Sequence, residues 1–304
     1  MGRLVELGDA RVLRPGRLRW LRAVGWMMAL IALMLVAFIA ANSLVILIGA
    51  AIHHTPVRDP ALLPPIYKAA ALVLAAAAVF ASYVAAVRLG EARRPSELAP
   101  RALVPELAIG LAVGAAVMIG TGVILWATGW GSFRPQPVTA IAGALSESIE
   151  SGVVEEIVFR LIILRLLWRA FGVWTALAVS AALFGLLHLG NPNATLFAAI
   201  CIAFEAGILL AAFYILTGRL WMSIGVHAGW NFTQGWLLGA AVSGGGGFAG
   251  GPLAHSPAPG VNAVLSGGGF GPEASLPALA LCTAVGLGVL WLAWTRGRMG
   301  EAEA

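Results

Sequence analysis

Long apolar runs separated by short polar segments extend along the whole sequence. A run of about 20 apolar residues is long enough to cross a bilayer as a helix. The first run is about twice as long as the apolar core of a signal peptide, so we interpret it as an uncleaved span. The pattern predicts an all-α fold, a polytopic membrane helix bundle with about eight transmembrane helices. The predicted spans are residues 23–51, 66–87, 102–128, 138–167, 173–189, 194–216, 220–242 and 276–294.

The composition is typical of a membrane protein and excludes two other classes. Hydrophobic residues make up 60% of the chain and charged residues 11%, whereas soluble domains carry about 25% charged residues. A water-soluble enzyme is therefore excluded. The pI of about 10.0 comes from scattered loop arginines rather than from a basic docking face, so we expect no nucleic-acid partner.

The basic residues predict how the spans are oriented. If the N-terminus is cytoplasmic, all but four of the 19 basic residues lie on the cytoplasmic side of the membrane. Arg58, Lys68 and Arg134 fall in outer segments, and Arg160 lies within a span. Because this bias follows the positive-inside rule, we expect a multi-pass protein of the inner (plasma) membrane with cytoplasmic N- and C-termini. The arginine-rich, lysine-poor composition favours a bacterial source.

The spans and loops group into five expected segments. Residues 1–22 form a basic cytoplasmic segment, 23–137 hold the first three spans, and 138–242 hold spans four to seven. Residues 243–275 form a Gly- and Pro-rich extracytoplasmic loop, and 276–304 hold the last span and a cytoplasmic tail. Because the composition of the loop cannot bury enough apolar area to fold by itself, we interpret the loop as a flexible tether rather than a gating lid.

Charged residues inside the membrane concentrate on the fourth span. A charge at the bilayer centre costs at least about 2.5–3.5 kcal/mol, so each one needs a partner, water or a function. Glu156 and Arg160 are four residues apart and share a helix face, which predicts an ion pair. Glu155 is rotated by about 100° from Glu156 and has no partner nearby in the sequence. Glu155 is a candidate general base, although all three charges can instead form a structural network.

Two histidines lie in apolar spans, each with a companion at helical spacing. Phe184 precedes His188 by four residues, and Asn231 follows His227 by four. Together with Glu155, these side chains can converge on one buried polar pocket. A carboxylate, two imidazoles and an amide supply a base, an orienting group or metal ligand, and oxyanion donors. The set favours hydrolysis of an acyl bond inside the membrane.

Three short motifs in these spans resemble those of one protein family. Residues 154–160 (VEEIVFR) resemble its EExxxR motif, 184–188 (FGLLH) its FxxxH motif, and 227–231 (HAGWN) its HxxxN motif. Over residues 140–238, the chain therefore resembles the CAAX-protease and bacteriocin-processing (CPBP, or Abi) family of intramembrane endopeptidases, the type II CAAX prenyl protease-like proteins. The resemblance marks residues 138–242 as a catalytic core.

The resemblance implies a role for each motif residue. Glu155, helped by His188, would polarise the attacking water. His227 and Asn231 would stabilise the oxyanion of the tetrahedral intermediate. Glu156 would hold the fourth span in place with Arg160 and could share the catalytic work.

Metal dependence stays open from the sequence. His188, His227 and Glu155 would meet the usual protein ligand count of a catalytic zinc or similar divalent metal, and the family is often described as metalloproteases. However, the HExxH signature of helical zincins is absent, and a metal-free glutamate mechanism fits the same groups.

One feature of the predicted spans conflicts with a shared pocket. At a rise of about 1.5 Å per residue, straight and upright helices would place His188 and His227 about 12 Å apart in height. The Asn191-Pro192-Asn193 sequence leaves room for an irregular end to the fifth span.

Two other functions can use the same residues. A non-catalytic membrane protein, such as a bacteriocin-immunity or scaffold protein, would use them as a polar core for helix packing. A transporter would use Glu155 and Glu205 as carriers, although Glu205 is more typical of an interhelical polar contact. For a peptidase, the expected partners are a peptide or membrane-protein substrate and the lipid bilayer.

Overall fold

A computed structural model describes residues 2–56, 62–139, 141–246 and 248–300. The chain divides into two compact units, which we describe separately: Gly8–Pro95, and Ser96–Glu303 together with Met1–Leu7. Arg58, assigned above to an outer segment, lies outside the described residues, as do the side chain of Lys68 and the end of the predicted cytoplasmic tail. The five segment boundaries stay predictions.

The Gly8–Pro95 unit consists of two long helices after a short 3₁₀ turn. The turn is Arg11–Leu13, and the helices are α1 (Arg19–His53) and α2 (Pro65–Gly90).

The start of each of these helices packs against the end of the other. A β-carbon placed on Gly90 would lie 2.5 Å from the Trp26 ring, and one placed on Gly49 would lie 2.7 Å from the Tyr67 ring. The two helices are therefore antiparallel, and glycine allows the close approach at both ends.

The Ser96–Glu303 unit contains the remaining elements. Its α-helices and strands are α3 (Leu103–Ala127), β1 (Gly131–Pro135), α4 (Ala142–Glu150), α5 (Arg165–Phe171), α6 (Val173–Leu187), α7 (Leu196–Ile202), α8 (Leu209–Thr217), α9 (Trp221–Phe232), β2 (Leu253–Pro257), α10 (Ala263–Ser266) and α11 (Leu276–Thr295). Its π-helical segments are Ser151–Glu155, Ile157–Leu164, Ala203–Ile208 and Thr233–Leu237, and its 3₁₀ turns are Ser96–Leu98, Pro100–Ala102, His188–Gly190 and Pro272–Ala274.

The π-helical segments join α-helices into longer continuous helices. α4 and α5 belong to one helix of residues 142–171, α7 and α8 to one of residues 196–217, and α9 continues to residue 237. The 142–171 helix stops before Gly172, whose φ of 88° lies in the left-handed region that glycine adopts without strain. Single π-helical turns inside α-helices are frequent at functional sites, and here they occur in the helices that carry the EExxxR and HxxxN motifs.

Six helices of the described chain are long and apolar enough to cross a membrane. They are Arg19–His53, Ala69–Gly90, Pro100–Ala127, Val173–Gly190, Leu196–Thr217 and Leu276–Thr295. Each overlaps a predicted span, so an all-α, multi-pass membrane protein is confirmed. The predicted fourth and seventh spans correspond to the charged 142–171 helix and the shorter 221–237 helix, so the number eight stays a prediction.

Glycines allow α3 and α9 to pack with their backbones in contact. A β-carbon on Gly114 would clash with the carbonyl oxygen of Val226, and one on Gly229 would clash with that of Leu111. Small residues at such positions let membrane helices approach closely. This contact fixes α9, which carries His227, against α3.

The Gly-rich segment after residue 242 differs from the expected flexible tether. Strand β2 within it pairs with β1 as an antiparallel two-stranded sheet, with Phe133 opposite His255. The segment also contains the short helix α10. Its composition cannot fold alone, but β1, more than a hundred residues earlier, supplies the backbone partner that the sequence pattern does not reveal.

The β1–β2 sheet is expected to weaken as the pH falls. Burial lowers the pKa of His255 to about 4 from about 6.5, and its buried Nε2 has no hydrogen-bond partner among the described residues. Between these values the unfolded chain binds a proton that the folded chain does not, so stability decreases as the pH falls through this window. We expect His255→Leu to reduce that decrease in thermal unfolding scans of detergent-solubilised protein.

The exposed His54 provides the control. His54→Leu is expected to keep the acid sensitivity of the wild type. If His255→Leu loses as much stability on acidification as the wild type does, His255 is not the responsible group.

Candidate functional site

Four of the six predicted site residues line one cavity of about 330 Å³ in the Ser96–Glu303 unit. The four are Glu155, His188, His227 and Asn231. They come from the 142–171 helix, the end of α6, and α9. The other lining residues are Glu147, Glu150, Ser151, Val154, Asn191, Val242, Ser243 and Phe248.

Glu156 and Arg160 lie behind this cavity as a buried ion pair. Glu156 Oε2 is 3.0 Å from Arg160 Nε, and the two side chains are 0% and 1% exposed. Arg160 Nη2 also donates to the carbonyl oxygen of Ala206 at 2.9 Å, and its guanidinium carbon lies 5.0 Å from the centre of the Phe184 ring. The ion pair predicted from the four-residue spacing is present, and it links the 142–171 helix to the 196–217 helix.

Glu156 also orients His227. Its Oε1 atom is 2.9 Å from His227 Nδ1, so the carboxylate accepts the Nδ1–H bond. With Nδ1 engaged, Nε2 is the ring nitrogen available to the cavity. A partner on the other nitrogen is the usual means by which a protein fixes the orientation and tautomer of a functional imidazole.

Asn231 is held by a hydroxyl group that the sequence analysis did not identify. Its Nδ2 donates to Ser151 Oγ at 2.9 Å, and Ser151 Oγ donates to the carbonyl oxygen of Glu147 at 2.9 Å. One N–H group of the Asn231 amide is therefore engaged, and the second is available as a hydrogen-bond donor. Eighty residues separate Ser151 from Asn231 in the sequence, so no local spacing could have predicted the pair.

His188 reaches the same cavity because α6 ends irregularly. The α-helix stops at Leu187, and a 3₁₀ turn begins at His188. His188 Nδ1 donates to the carbonyl oxygen of Phe184 at 2.8 Å, which leaves Nε2 as the acceptor in a neutral ring. The Phe184 ring lies 4.9 Å from the His188 ring and 6.3 Å from the His227 ring, centre to centre. The height difference expected from straight helices therefore does not keep the two histidines apart.

Glu155 lines the cavity and has a carboxylate oxygen that can still accept a hydrogen bond. Its side chain is half-buried, and its Oε2 atom is buried without a hydrogen-bond partner among the described residues. It closes the π-helical segment Ser151–Glu155, while the adjacent Glu156 turns toward Arg160 and His227. An unpaired buried carboxylate oxygen is costly, and a water molecule in the cavity is a suitable donor.

Residues 241–273, apart from the undescribed residue 247, form a segment that we call the cap. Val242, Ser243 and Phe248 of the cap line the cavity. The Ser243 amide N–H donates to Glu273 Oε1, and Gln234 Nε2 of the π-helical extension of α9 donates to the carbonyl oxygen of Ala241 at 2.6 Å. The cap is therefore bonded both to itself and to the helix that carries His227.

Burial raises the pKa of Glu273, although the hydrogen bonds with Ser243 oppose this shift. Glu273→Ala is expected to loosen the cap, because the Ser243 amide loses its acceptor in a partly buried position. Glu273→Gln keeps an acceptor oxygen and is expected to preserve the cap. Limited proteolysis in detergent should cut the cap several times faster in Glu273→Ala than in the wild type or Glu273→Gln. Equal cleavage of all three proteins would show that Glu273 does not hold the cap.

The metal alternative finds little support in the arrangement of donors. Within the described residues, no group of three or more His, Cys, Asp or Glu side chains is placed to hold a metal ion. His188, His227 and Glu155 share the cavity, but they do not form such a group. The donors as placed therefore do not fit a metal ion, and the side chains themselves are the groups available for chemistry.

The fold and the cavity define a class of protein: a multi-pass helical membrane protein with a carboxylate, two imidazoles and an amide on one buried cavity. Residues 137–233 match the family model described as type II CAAX prenyl endopeptidase Rce1-like. This match covers all three motifs and confirms the resemblance to the CAAX-protease and bacteriocin-processing family over that part of the chain. No curated protein and no solved structure matches the chain. The family match suggests intramembrane protease activity.

Proposed function

We propose that this protein is an intramembrane endopeptidase that hydrolyses a peptide bond with water activated by Glu155. The observation that carries the proposal is the buried, unpaired Oε2 atom of Glu155 on a cavity that Glu155 shares with His188, His227 and Asn231. Acyl transfer to water requires a general base and hydrogen-bond donors for the oxyanion. The carboxylate, the two imidazoles and the amide around this cavity supply both.

In the first step, water attacks the carbonyl carbon of the substrate. Glu155 accepts one proton of the water as its oxygen forms the new bond to carbon. His188 Nε2, the free acceptor of that ring, orients the same water through its other proton. General-base catalysis of this kind contributes about 10²–10⁴-fold to a rate.

The negative charge that develops on the carbonyl oxygen needs hydrogen-bond donors. Asn231 has a second Nδ2–H bond to donate, because the first is used on Ser151. His227 donates through Nε2 when its ring is an imidazolium, and the Glu156 carboxylate at Nδ1 stabilises that charge. Removing one such donor typically costs about 10²–10³-fold in rate. Glu156 and Arg160 act through His227 and through the position of the 142–171 helix.

In the second step, the tetrahedral intermediate collapses and the carbon–nitrogen bond breaks. Glu155 returns the proton to the departing nitrogen, which leaves as an amine. The new carboxyl group keeps the oxygen of the water. Glu155 is then ready for another cycle, and one water has been consumed for each bond.

The substrate class follows from the location of the cavity among apolar helices. We propose a membrane-associated peptide or protein whose scissile segment can enter from the bilayer or its surface. A prenylated CAAX-type peptide is one such substrate, as the description of the matching family indicates. We also propose a bacterial inner membrane as the location, with both termini in the cytoplasm, from the distribution of arginines.

The proposal is tested with the full chain reconstituted in lipid nanodiscs. A farnesylated CAAX-type peptide, the same peptide without the prenyl group, and a solubilised bacterial membrane fraction serve as substrates. Mass spectrometry of the products should reveal new peptide termini with at least one substrate, and these termini should be absent with His227→Ala protein. Cleavage in the presence of a metal chelator would support a metal-free reaction. Absence of new termini with every substrate would contradict the proposed function and favour a non-catalytic membrane protein.

A further inference from the structure

A basic cavity lies at the C-terminal end of α2 in the Gly8–Pro95 unit. Its volume is about 540 Å³, and Arg11, Arg88, Arg93 and Arg94 contribute to its lining. Arg93 is paired with Glu91, with 2.7 Å between Nε and Oε2. Arg88 and Arg94 are exposed, and neither forms an ion pair with a described residue. The lining of the cavity therefore contains four guanidinium groups and no carboxylate among the described residues.

An apolar groove lies between α1 and α2 next to this cavity. It encloses about 470 Å³, and its lining includes Trp26 and Leu33 of α1 with Ala85, Ala86 and Leu89 of α2. Leu33 and Leu89 are 40% and 71% exposed. Both helices are long and apolar enough to cross a membrane, so the groove has the polarity of an acyl-chain environment.

Glu91 and Leu89 connect the groove with the basic cavity. Trp26 Nε1 donates to Glu91 Oε1 at 2.9 Å, while Arg93 donates to Glu91 Oε2. Leu89 contributes its side chain to the groove, and its carbonyl oxygen accepts a hydrogen bond from Arg11. The apolar surface therefore ends at the arginines within about one helical turn of α2. A tryptophan with its N–H bonded at this level is typical of the membrane–water interface.

We propose that this unit binds one anionic glycerophospholipid from the bilayer. The arginines hold the headgroup phosphate, and the groove between α1 and α2 holds an acyl chain. The positive-inside rule accounts for arginines near the membrane, but it does not require them to converge at the end of an apolar groove. Guanidinium groups bind phosphate oxygens in a fork geometry, and the groove adds an apolar contact that a free phosphate lacks.

Lipid retention by the purified full chain tests the proposal. The protein is exchanged into detergent with equal amounts of phosphatidylglycerol and phosphatidylcholine, and bound lipid is counted by native mass spectrometry. We expect the wild type to retain one phosphatidylglycerol in preference to phosphatidylcholine. Arg88→Gln/Arg94→Gln should reduce that retention at least about tenfold. Excess inorganic phosphate should not displace the lipid, because it cannot occupy the groove.

Two further variants separate a specific site from general surface charge. Arg14→Gln/Arg17→Gln removes the same number of exposed charges outside both linings, and we expect it to retain lipid as the wild type does. Ala85→Phe fills the groove from its exposed side without changing any charge, and we expect it to lose retention. Equal losses in the two arginine pairs, equal retention of both lipids, or unchanged retention in Ala85→Phe would overturn the proposal.

Discussion

Glu155→Gln is expected to reduce peptide-bond hydrolysis at least about a hundredfold while the helices stay folded. Glutamine has nearly the same size and shape, but its amide cannot accept the proton of the attacking water. The Oε2 atom of Glu155 makes no hydrogen bond to a described residue, so the exchange breaks no hydrogen bond at that atom. The measurement is the initial rate on the substrate cleaved by the wild type, with circular dichroism and the thermal midpoint as checks on folding.

Glu147→Gln is the matched control for this change. Glu147 lies on the same helix and lines the same cavity, so the exchange removes an equivalent carboxylate close by. It is not placed among the motif residues, and we expect only a small effect on the rate. A Glu155→Gln protein that is folded and cleaves as fast as the wild type would remove Glu155 from the mechanism.

Arg160→Met is expected to lower the free energy of unfolding by about 3–5 kcal/mol. The change leaves the Oε2 atom of the fully buried Glu156 carboxylate without its guanidinium partner, and it leaves the carbonyl oxygen of Ala206 without its donor. Removing one partner of a buried ion pair costs more than the pair itself contributes, because the remaining charge is uncompensated. Denaturant or thermal unfolding of the detergent-solubilised protein measures the loss.

The double variant Glu156→Leu/Arg160→Met should recover most of the stability lost by Arg160→Met. An apolar pair of similar volume avoids the desolvation of both charges. The double variant should nevertheless be inactive, because His227 Nδ1 loses the carboxylate that orients its ring. If the double variant is as unstable as Arg160→Met alone, the uncompensated charge of Glu156 is not the cause of the instability.

Short-range spacing accounts for the part of the site that the sequence could predict. Glu156 and Arg160 are one helical turn apart, so their ion pair follows from helix geometry. Asn231 lies one turn after His227 on α9 in the same way. The three motifs could therefore be identified, and their order along the chain carried the family resemblance that the family match confirms.

Long-range contacts account for the part that the sequence could not predict. Ser151 holds Asn231, and Glu273 holds Ser243, across distances of 80 and 30 residues. Such hydrogen bonds have no periodic signal, because each partner is an ordinary polar residue in its own segment. The same reason explains why the loop of residues 243–275 was expected to be a flexible tether.

Hydropathy likewise predicted the helical class better than the number of spans. Six apolar helices are recovered because their composition alone marks them. The 142–171 helix carries charges that pack inside the bundle, and five residues of this helix line the cavity along its first half. The charges and π-helical turns of this helix belong to the candidate site. A rule based on the length of apolar runs therefore does not identify the helix as a span.

The most direct test of the central claim is the origin of the oxygen in the new carboxyl terminus. Wild-type protein and Glu155→Gln protein in nanodiscs are incubated with the cleaved substrate in water enriched in heavy oxygen, and the products are weighed by mass spectrometry. We expect one heavy oxygen in each new carboxyl terminus from the wild type, and at least about a hundredfold less product from Glu155→Gln in the same time. Unlabelled product, or labelled product at the wild-type rate from folded Glu155→Gln protein, would contradict the central claim.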